Sequence, residues 1–450
     1  MRVDLVIRGG TVVPLVAGVE PHRNDVYVDA GRVVAVGGED RPARRVLDAS
    51  GMMVIPGMHD VHDHLRAITP GLRVGQGLKL DAFLKKMWRL NELDGPDEYR
   101  IGAALGTARL LKGGVTSVVD HIYPFHRPGL AEAAVEGYSA TGIRWFMARG
   151  IMTRPYRPIC EPASDAFRAI EELIDTVVPR DRLFIAPVSF RQATATVYKR
   201  SRQVADRLGI RLYTHIAETD AEVAQTREQH GARPVELLHR LGFGGEDTIL
   251  VHCVKLSKPE IKLLARAGTH VVHCPNNHMK LAKGVTPVPA LLAAGVNVSL
   301  GVDGMDDMLA EVRQEVLLQS LGNSDPGAVS PATALDMATS GGARALGLDS
   351  DLGTIEVGKL ADLVCLDAAD VQPVLDPVWT IVNRSHGRDV SHVVVEGEVV
   401  VEDGRLTLVD EAELVAEATD IASASLKRAG ISDQAVIDMA RRVGAVSGAG

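Results

Sequence analysis

The sequence predicts an α/β protein in which a (β/α)8 TIM barrel carries a small β-sandwich domain built from both chain ends. The middle of the chain alternates short apolar runs with segments of helical period, and eight such runs are found. Strand-rich segments with glycine turns lie on both sides of this middle region. The length of 450 residues also fits one large barrel with a smaller appended domain.

Both ends of the chain are predicted to be rich in β-strands. Short apolar runs separated by glycine pairs occupy the N-terminal segment, and similar runs return at residues 362–366 and 393–401. After residue 410 the chain becomes alanine-rich and polar, which is typical of surface helices. We therefore expect a β-sandwich domain of residues 1–54 and 352–410, a barrel of residues 55–351, and a C-terminal helical tail of residues 411–450.

Each apolar run in the middle of the chain has the length of one buried strand. The eight predicted barrel strands contain residues 53–55, 117–119, 144–147, 184–186, 211–213, 249–251, 270–272 and 298–300. The helix candidates between them include residues 165–177, 196–208, 234–241 and 259–267. Barrel enzymes keep their reactive groups at the C-terminal ends of the strands, so the residues that follow these runs are the candidates for a site.

Composition and charge exclude several classes of function. The net charge is -9 and the chain has no run rich in lysine and arginine, which argues against a nucleic-acid-binding surface. No stretch reaches the roughly 18 apolar residues of a membrane helix, and charges interrupt the N-terminal run as they would not in a signal peptide. The four cysteines are far apart and suit reduced thiols. We expect a cytoplasmic protein whose partner is a small molecule.

Histidines and an aspartate follow several of the predicted strands. His62 and His64 follow the first strand, and two residues at this spacing on an extended segment project to the same side. One further histidine and Asp303, which ends the eighth strand, would complete a set of three nitrogens and one carboxylate. Zn²⁺ and Fe²⁺ accept such ligands, as do Mn²⁺ and Co²⁺, so the pattern predicts a divalent metal ion with room for water.

Four segments resemble motifs of the amidohydrolase superfamily. Residues 56–64 (PGMHDVHDH) resemble its PGxxxxHxH signature, residues 215–219 (HIAET) its HxxE segment, and residues 273–275 (HCP) its HCP segment. Residues 353–364 are similar to the return of the chain into the β-domain. The resemblance covers about residues 1–405 and is closest to the aminohydrolase/chlorohydrolase-like branch, which includes guanine, S-adenosylhomocysteine and triazine deaminases.

The resemblance implies one metal ion per chain and a set of roles. The ligands of that ion would be His62, His64, His215 and Asp303. Asp303 would also accept a proton from the attacking water, Glu218 would act as general acid toward the leaving nitrogen, and His252 would orient the water or stabilise the oxygen that gains charge. Homo-oligomers are usual in the family, so we expect one here.

Two loops depart from the pattern of this branch. His278 stands where asparagine is usual, and the chain after Asp303 enters a helix without the usual longer loop. Both loops face the pocket in the family, so we expect a reshaped pocket. The residues that we expect to contact substrate are His278, Arg149, His121 and Gln192.

These observations predict hydrolysis of a C–N bond in a small neutral organic molecule. The altered loops favour an amide-type bond of a urea, carbamate or thiocarbamate, as in the phenylurea and molinate hydrolases that the loops resemble. Deamination of a purine, pterin or triazine is the alternative. A non-catalytic scaffold is a remote third hypothesis, because members of the superfamily that lost their ligands exist, but the ligand set is complete here.

Overall fold

The computed structural model describes residues 2–68 and 77–430, which form an eight-stranded and a nine-stranded sheet. The eight-stranded sheet is parallel, and each strand pairs with the next one along the chain. Its strands are β6 (Met58–Asp63), β7 (Val115–Ile122), β8 (Arg144–Ile151), β9 (Leu183–Pro187), β10 (Arg211–Ile216), β11 (Thr248–His252), β12 (His270–His273) and β13 (Val298–Leu300).

The last strand of this sheet returns to the first. The backbone N–H of Asp303, just after β13, donates to the carbonyl of His62 at 3.0 Å. A Cβ atom on Gly301 would lie only 2.7 Å from the Cβ of His62, so the close approach of the two strand ends requires glycine there. Side chains such as Val61, Phe146 and Phe184 form an apolar cluster below the strand ends. The predicted barrel is therefore confirmed.

One of the eight predicted barrel strands is wrong. Residues 53–55 lie in β5 (Met52–Pro56), which pairs antiparallel with β14 (Leu363–Asp367) in the other sheet. The first barrel strand is instead β6, which begins two residues after β5 ends. A short apolar run can belong to either sheet, so its length did not identify the barrel strand. The true first strand, β6, contains His59, Asp60, His62 and Asp63 and is therefore not recognisable as an apolar run. The other seven predicted runs lie in β7 to β13.

The nine-stranded sheet joins the two ends of the chain. Its other strands are β1 (Val3–Val12), β2 (His22–Asp29), β3 (Arg32–Val36), β4 (Ala43–Asp48), β15 (Val390–Val395), β16 (Glu398–Glu402) and β17 (Arg405–Leu406). One buried apolar cluster combines residues of both ends, among them Leu5, Val26, Leu363 and Val394. The small β-domain built from both ends is thus confirmed, and the residue boundaries of the three parts stay a prediction.

Helices follow the barrel strands and cover them. Those of six or more residues in the described ranges are Leu80–Asn91, Pro96–Lys112, Leu130–Thr141, Ala163–Leu173, Ala195–Leu208, Asp220–His230, Pro234–Arg240, Lys258–Ala267, Pro275–Lys280, Val288–Ala293, Met308–Asn323, Pro331–Ala338, Ser340–Leu346, Pro377–Arg384 and Glu411–Arg428. The last helix belongs to the predicted tail, whose residues 431–450 lie outside the described part. Among the described helices, none has the length and apolar character to cross a membrane.

A buried ion-pair cluster connects the barrel to the small domain. Arg144 begins β8, and its guanidinium pairs with the carboxylates of Asp362 and Glu396. The Arg144 and Asp362 side chains are 5% and 3% exposed. Because a buried carboxylate without its partner is strongly unfavourable, this contact fixes the two domains against each other.

We expect Arg144→Met to lower the free energy of unfolding by about 3 kcal/mol, because it leaves Asp362 buried without its cation. Urea titration followed by circular dichroism measures this change. Arg388→Met is the matched control, since the Arg388 side chain is 81% exposed and pairs with Asp389 only at 3.7 Å. Equal losses in the two variants would contradict the assigned role of Arg144.

Candidate active site

The four residues predicted to bind a metal ion meet at the C-terminal mouth of the barrel. His62 Nε2 lies 3.3 Å from His215 Nε2 and 3.5 Å from Asp303 Oδ1. His64 Nε2 lies 3.8 Å from the same Asp303 oxygen. These side chains come from the ends of β6, β10 and β13, which explains why residues so distant in sequence come together.

The other ring nitrogen of each histidine is engaged by an oxygen. His64 Nδ1 donates to the carbonyl of His121 at 2.7 Å, and His215 Nδ1 donates to the carbonyl of Val188 at 2.8 Å. His62 Nδ1 lies 2.7 Å from the hydroxyl of Tyr213, which gives its own proton to the carbonyl of Val61. The Tyr213 oxygen must therefore accept from His62, and all three rings carry their proton on Nδ1.

This arrangement fits a divalent metal ion. Burial, followed by the neighbouring His62, lowers the pKa of His64 to about 3, and the same causes lower the pKa of His215 well below its ordinary value. Neutral rings with Nδ1–H leave bare Nε2 lone pairs directed at one another and at Asp303. Ligands about 2.1 Å from a zinc ion at tetrahedral angles stand about 3.4 Å apart, close to the observed separations.

Two further acids of the same segment hold the strand ends together. The carboxylate of Asp60 accepts the backbone N–H groups of His62 and Val302, both at 3.1 Å. The carboxylate of Asp63 accepts those of His64 and Gly304, both at 2.7 Å. Burial raises the pKa of both acids well above the ordinary value. Residues 59–64 (HDVHDH) therefore supply two candidate metal ligands and also the hydrogen bonds that hold β6 against the chain after β13.

The predicted general acid lies beside the metal-binding cluster. Glu218 Oε1 is 3.3 Å from His252 Nε2 and 2.6 Å from Lys283 Nζ. Its other oxygen accepts from Arg191 at 3.0 and 3.1 Å. His252 Nε2 is also 3.9 Å from Asp303 Oδ2, so its ring stands between the two carboxylates. Burial, and then the charge of Lys283, lower the pKa of His252 well below the ordinary value, which keeps this ring neutral.

Backbone strain occurs where these side chains leave the strands. His252 and Asp303 both have left-handed backbone conformations, with φ of 76° and 48°. Ala217, next to Glu218, has φ of 51°. Non-glycine residues adopt such angles at a cost that the surrounding contacts must offset, and they are frequent at functional sites.

Two adjoining spaces open above the metal-binding cluster, and both reach His64 and Asp303. We call the first the polar chamber, because its wall includes Arg191, Gln192, Glu218, His252 and Lys283. We call the second the apolar chamber, because its wall includes Met87 and Trp88; Phe83, Leu84 and Leu281 line both chambers. The helix Leu80–Asn91 thus forms much of the apolar wall.

The four predicted substrate contacts have different surroundings. Gln192 lines the polar chamber, whereas His121 packs against His215, with ring centres 4.5 Å apart. His278 is 1% exposed, and its Nε2 lies 3.0 Å from His252 Nδ1. It therefore lies behind His252 and is not part of the wall of either chamber.

Arg149, like His121 and His278, lines neither chamber. Its guanidinium pairs with Glu161 and lies 4.3 Å from the ring centre of Phe125. The side chain is 2% exposed. These partners satisfy its charge away from the metal-binding cluster, so a substrate contact by Arg149 has no support in the geometry.

Three residues of the site were missed by sequence reasoning. Tyr213 lies in β10 two residues before His215, so strand periodicity places both on the barrel interior and could have found it. Arg191 and Lys283 lie in connecting loops, and only their tertiary contacts with Glu218 reveal them.

The sequence profile of the amidohydrolase family matches residues 53–400 of this chain. The chain belongs to the amidohydrolase family. It is accordingly a metal-dependent hydrolase that acts on C–N bonds other than peptide bonds, and the aminohydrolase/chlorohydrolase-like resemblance of its sequence is confirmed.

Several named relatives are similar over most of the chain. A 5'-deoxyadenosine deaminase of Methanopyrus kandleri is 32% identical over 378 residues, which cover 82% of this chain and 86% of that protein. A 5-methylthioadenosine/S-adenosylhomocysteine deaminase of Halobacterium salinarum is 35% identical over 419 residues, which cover 90% of this chain and 95% of that protein.

Solved structures show the same similarity. An adenosine deaminase from Xanthomonas campestris with bound zinc has a TM-score of 0.88 and 31% identity, covering 95% of this chain and 99% of that chain. The atrazine chlorohydrolase of Arthrobacter aurescens complexed with zinc has a TM-score of 0.84 and 26% identity, covering 93% of this chain and 100% of that chain.

We expect Tyr213→Phe to weaken metal binding by about 10- to 100-fold, because His62 Nδ1 loses the hydrogen-bond acceptor that fixes its ring. Competition with a chromophoric chelator measures the metal affinity directly. Tyr27→Phe is the matched control, since the Tyr27 hydroxyl contacts Asp25 in the small domain at 3.3 Å. An unchanged affinity in Tyr213→Phe would show that the tyrosine does not control the ligand.

Proposed function

We propose that this protein hydrolytically deaminates an aminated nitrogen heterocycle of the purine type, free or as a nucleoside, and releases ammonia. The observation that carries the proposal is the carboxylate of Glu218, which faces the polar chamber beside His252 and the predicted metal ligands. Removing an amine from a ring carbon needs such a group to protonate the nitrogen that leaves.

The names of the relatives favour the second of the two substrate classes that the sequence allows. Amide-type cleavage of a urea or carbamate was the preferred reading, and it rested on the altered loops around His278 and Asp303. The similar proteins are named as deaminases of adenosine compounds, which supports the alternative. In the structure His278 contacts His252, so this departure from the family pattern does not itself argue for a urea.

We further propose that His62, His64, His215 and Asp303 hold one Zn²⁺ ion. Two of the similar structures contain zinc, and the bare Nε2 atoms and carboxylate form a donor set that suits this ion. When bound, such an ion lowers the pKa of a coordinated water toward neutrality and polarises the group under attack.

Asp303 and Glu218 each carry out one of the proton transfers of the reaction. Asp303 Oδ2 accepts the proton of the attacking water, and it lies 3.9 Å from His252 Nε2. His252 orients that water and stabilises the oxygen that gains negative charge. Glu218 delivers a proton to the amino nitrogen as the C–N bond breaks and ammonia leaves, and the proton that Asp303 took from the water replaces it. The hydroxyl left on the ring carbon becomes the carbonyl as its proton moves to the adjacent ring nitrogen. Arg191 keeps the Glu218 carboxylate in position through its two hydrogen bonds.

The two chambers suit a substrate with two different parts. A heterocyclic ring, which carries several polar atoms, fits the polar chamber next to Glu218. The apolar wall of Phe83, Met87 and Trp88 then accommodates an apolar substituent of the ring or of its sugar. The relatives named for 5'-deoxyadenosine and 5-methylthioadenosine act on nucleosides of this kind, which supports the assignment. A cytoplasmic location and a homo-oligomeric state remain parts of this proposal.

The products distinguish the two readings. With zinc-reconstituted enzyme, we expect purine-type amines to release ammonia, measured by coupled glutamate dehydrogenase, whereas phenylureas and carbamates should give no amine by chromatography. Release of amine and CO₂ from a urea, with no ammonia from any ring, would overturn the proposal.

We expect Glu218→Gln and Asp303→Asn each to lower kcat at least 100-fold, because each removes a group that carries a proton in the reaction. Glu228→Gln is the matched control, since Glu228 is exposed on the helix Asp220–His230. Metal content is measured in parallel by mass spectrometry. Near-normal turnover in a variant that holds its metal would contradict the role of that residue.

A further inference from the structure

Lys283 lies in the wall of the polar chamber. Its side chain is 2% exposed, and Nζ lies 2.6 Å from Glu218 Oε1 and 3.8 Å from Asp303 Oδ2. The ammonium therefore stands between the group that delivers the proton and the group that accepts it. A substrate bound to these two carboxylates has to contact Lys283 as well.

Lys283 is not needed to neutralise Glu218. That carboxylate already accepts hydrogen bonds from both terminal nitrogens of Arg191, at 3.0 and 3.1 Å. Glu222, which is 3.4 Å from Arg191, has its pKa raised by burial and lies on the far side of this pair. A buried ammonium is costly unless all its N–H groups form hydrogen bonds. Lys283 Nζ carries three N–H groups, and its one short contact is with Glu218 Oε1. The remaining donors point to an acceptor that the substrate brings.

The local backbone fixes Lys283 in this place. Its N–H donates to the carbonyl of His278 at 2.9 Å, which continues the short helix Pro275–Lys280 into the loop. Ala282 before it and Gly284 after it have φ of 51° and 119°. Left-handed residues on both sides of Lys283 turn the chain sharply, and the Lys283 side chain is directed into the chamber.

We infer that Lys283 binds an exocyclic carbonyl oxygen of the substrate ring, so that the enzyme takes rings bearing both an amino group and a carbonyl. This inference rests on the proposed deamination. An ammonium only donates hydrogen bonds, so its partner on the ring is an acceptor, either a ring nitrogen or a carbonyl oxygen. A carbonyl oxygen projects beyond the ring edge and offers two lone pairs, so it is the better partner for an ammonium that has further donors to place. A ring that lacks the carbonyl leaves the buried ammonium without its partner, which is the situation in which an enzyme discriminates most strongly.

Pairs of rings that differ by one carbonyl test this inference. The pairs are isoguanine with adenine and guanine with 2-aminopurine, each as base and as ribonucleoside. For at least one pair, we expect kcat/KM to favour the carbonyl-bearing member by about 10- to 100-fold. Lys283→Met, which approximately keeps the length and removes the charge, should bring that ratio close to one.

The control variant is Lys255→Met. Lys255 pairs with Asp220 at 3.0 Å and is not part of either chamber wall, so this variant should keep the wild-type ratio. Equal loss for both members of a pair in Lys283→Met would overturn the inference and leave Lys283 as a support of Glu218. A wild-type ratio near one in every pair would overturn it as well.

Equilibrium binding separates this inference from the proposed function. Calorimetry compares the affinity for xanthine with those for hypoxanthine and 2-hydroxypurine, each of which lacks one of the two carbonyls of xanthine and needs no turnover. If no ring releases ammonia, the proposed function fails. A Lys283-dependent preference for xanthine would still support the carbonyl contact, and the absence of that preference would then overturn it too.

Discussion

The site depends on four hydrogen-bond acceptors that face one another in a buried space. The single proton of each neutral imidazole is held on Nδ1 by a carbonyl or by the Tyr213 hydroxyl, so Nε2 of His62, His64 and His215 presents a lone pair toward Asp303. Buried lone pairs a few ångströms apart repel one another and lack a hydrogen-bond donor between them. A divalent cation relieves this repulsion, and the rigid strands prevent the side chains from relieving it by moving apart.

The same constraint explains why the barrel closes as it does. Asp303 can reach the histidines only if the chain after β13 lies against the end of β6. The carboxylates of Asp60 and Asp63 make this contact through backbone N–H groups of Val302 and Gly304. Charged residues within a buried strand are costly, and here the hydrogen bonds to both strand ends offset that cost. Metal binding and barrel closure are therefore two consequences of one short segment.

Much of the fold and of the metal-binding cluster could be predicted from the sequence, because strands of a parallel barrel end at one face and carry the reactive residues there. His62, His64, His215 and Asp303 all follow from that rule combined with the family resemblance. The strand at residues 53–55 was assigned wrongly because apolar length alone does not distinguish two sheets. The surroundings of Arg149 could not be predicted for a related reason, because its pairing with Glu161 is known only once the chain is folded.

The substrate is the part that sequence patterns predict least. The predicted metal ligands lie on strands or directly after them, where period and position are regular, whereas the groups that surround a ring lie in loops, where neither applies. Lys283 and Arg191 come from two different loops and meet only at Glu218. Because Arg191 already pairs with that carboxylate, Lys283 adds a further positive charge to the chamber. Relatives with the same ligands can therefore perform the same reaction on different rings, and the loop that bears Lys283 is where such a difference would arise.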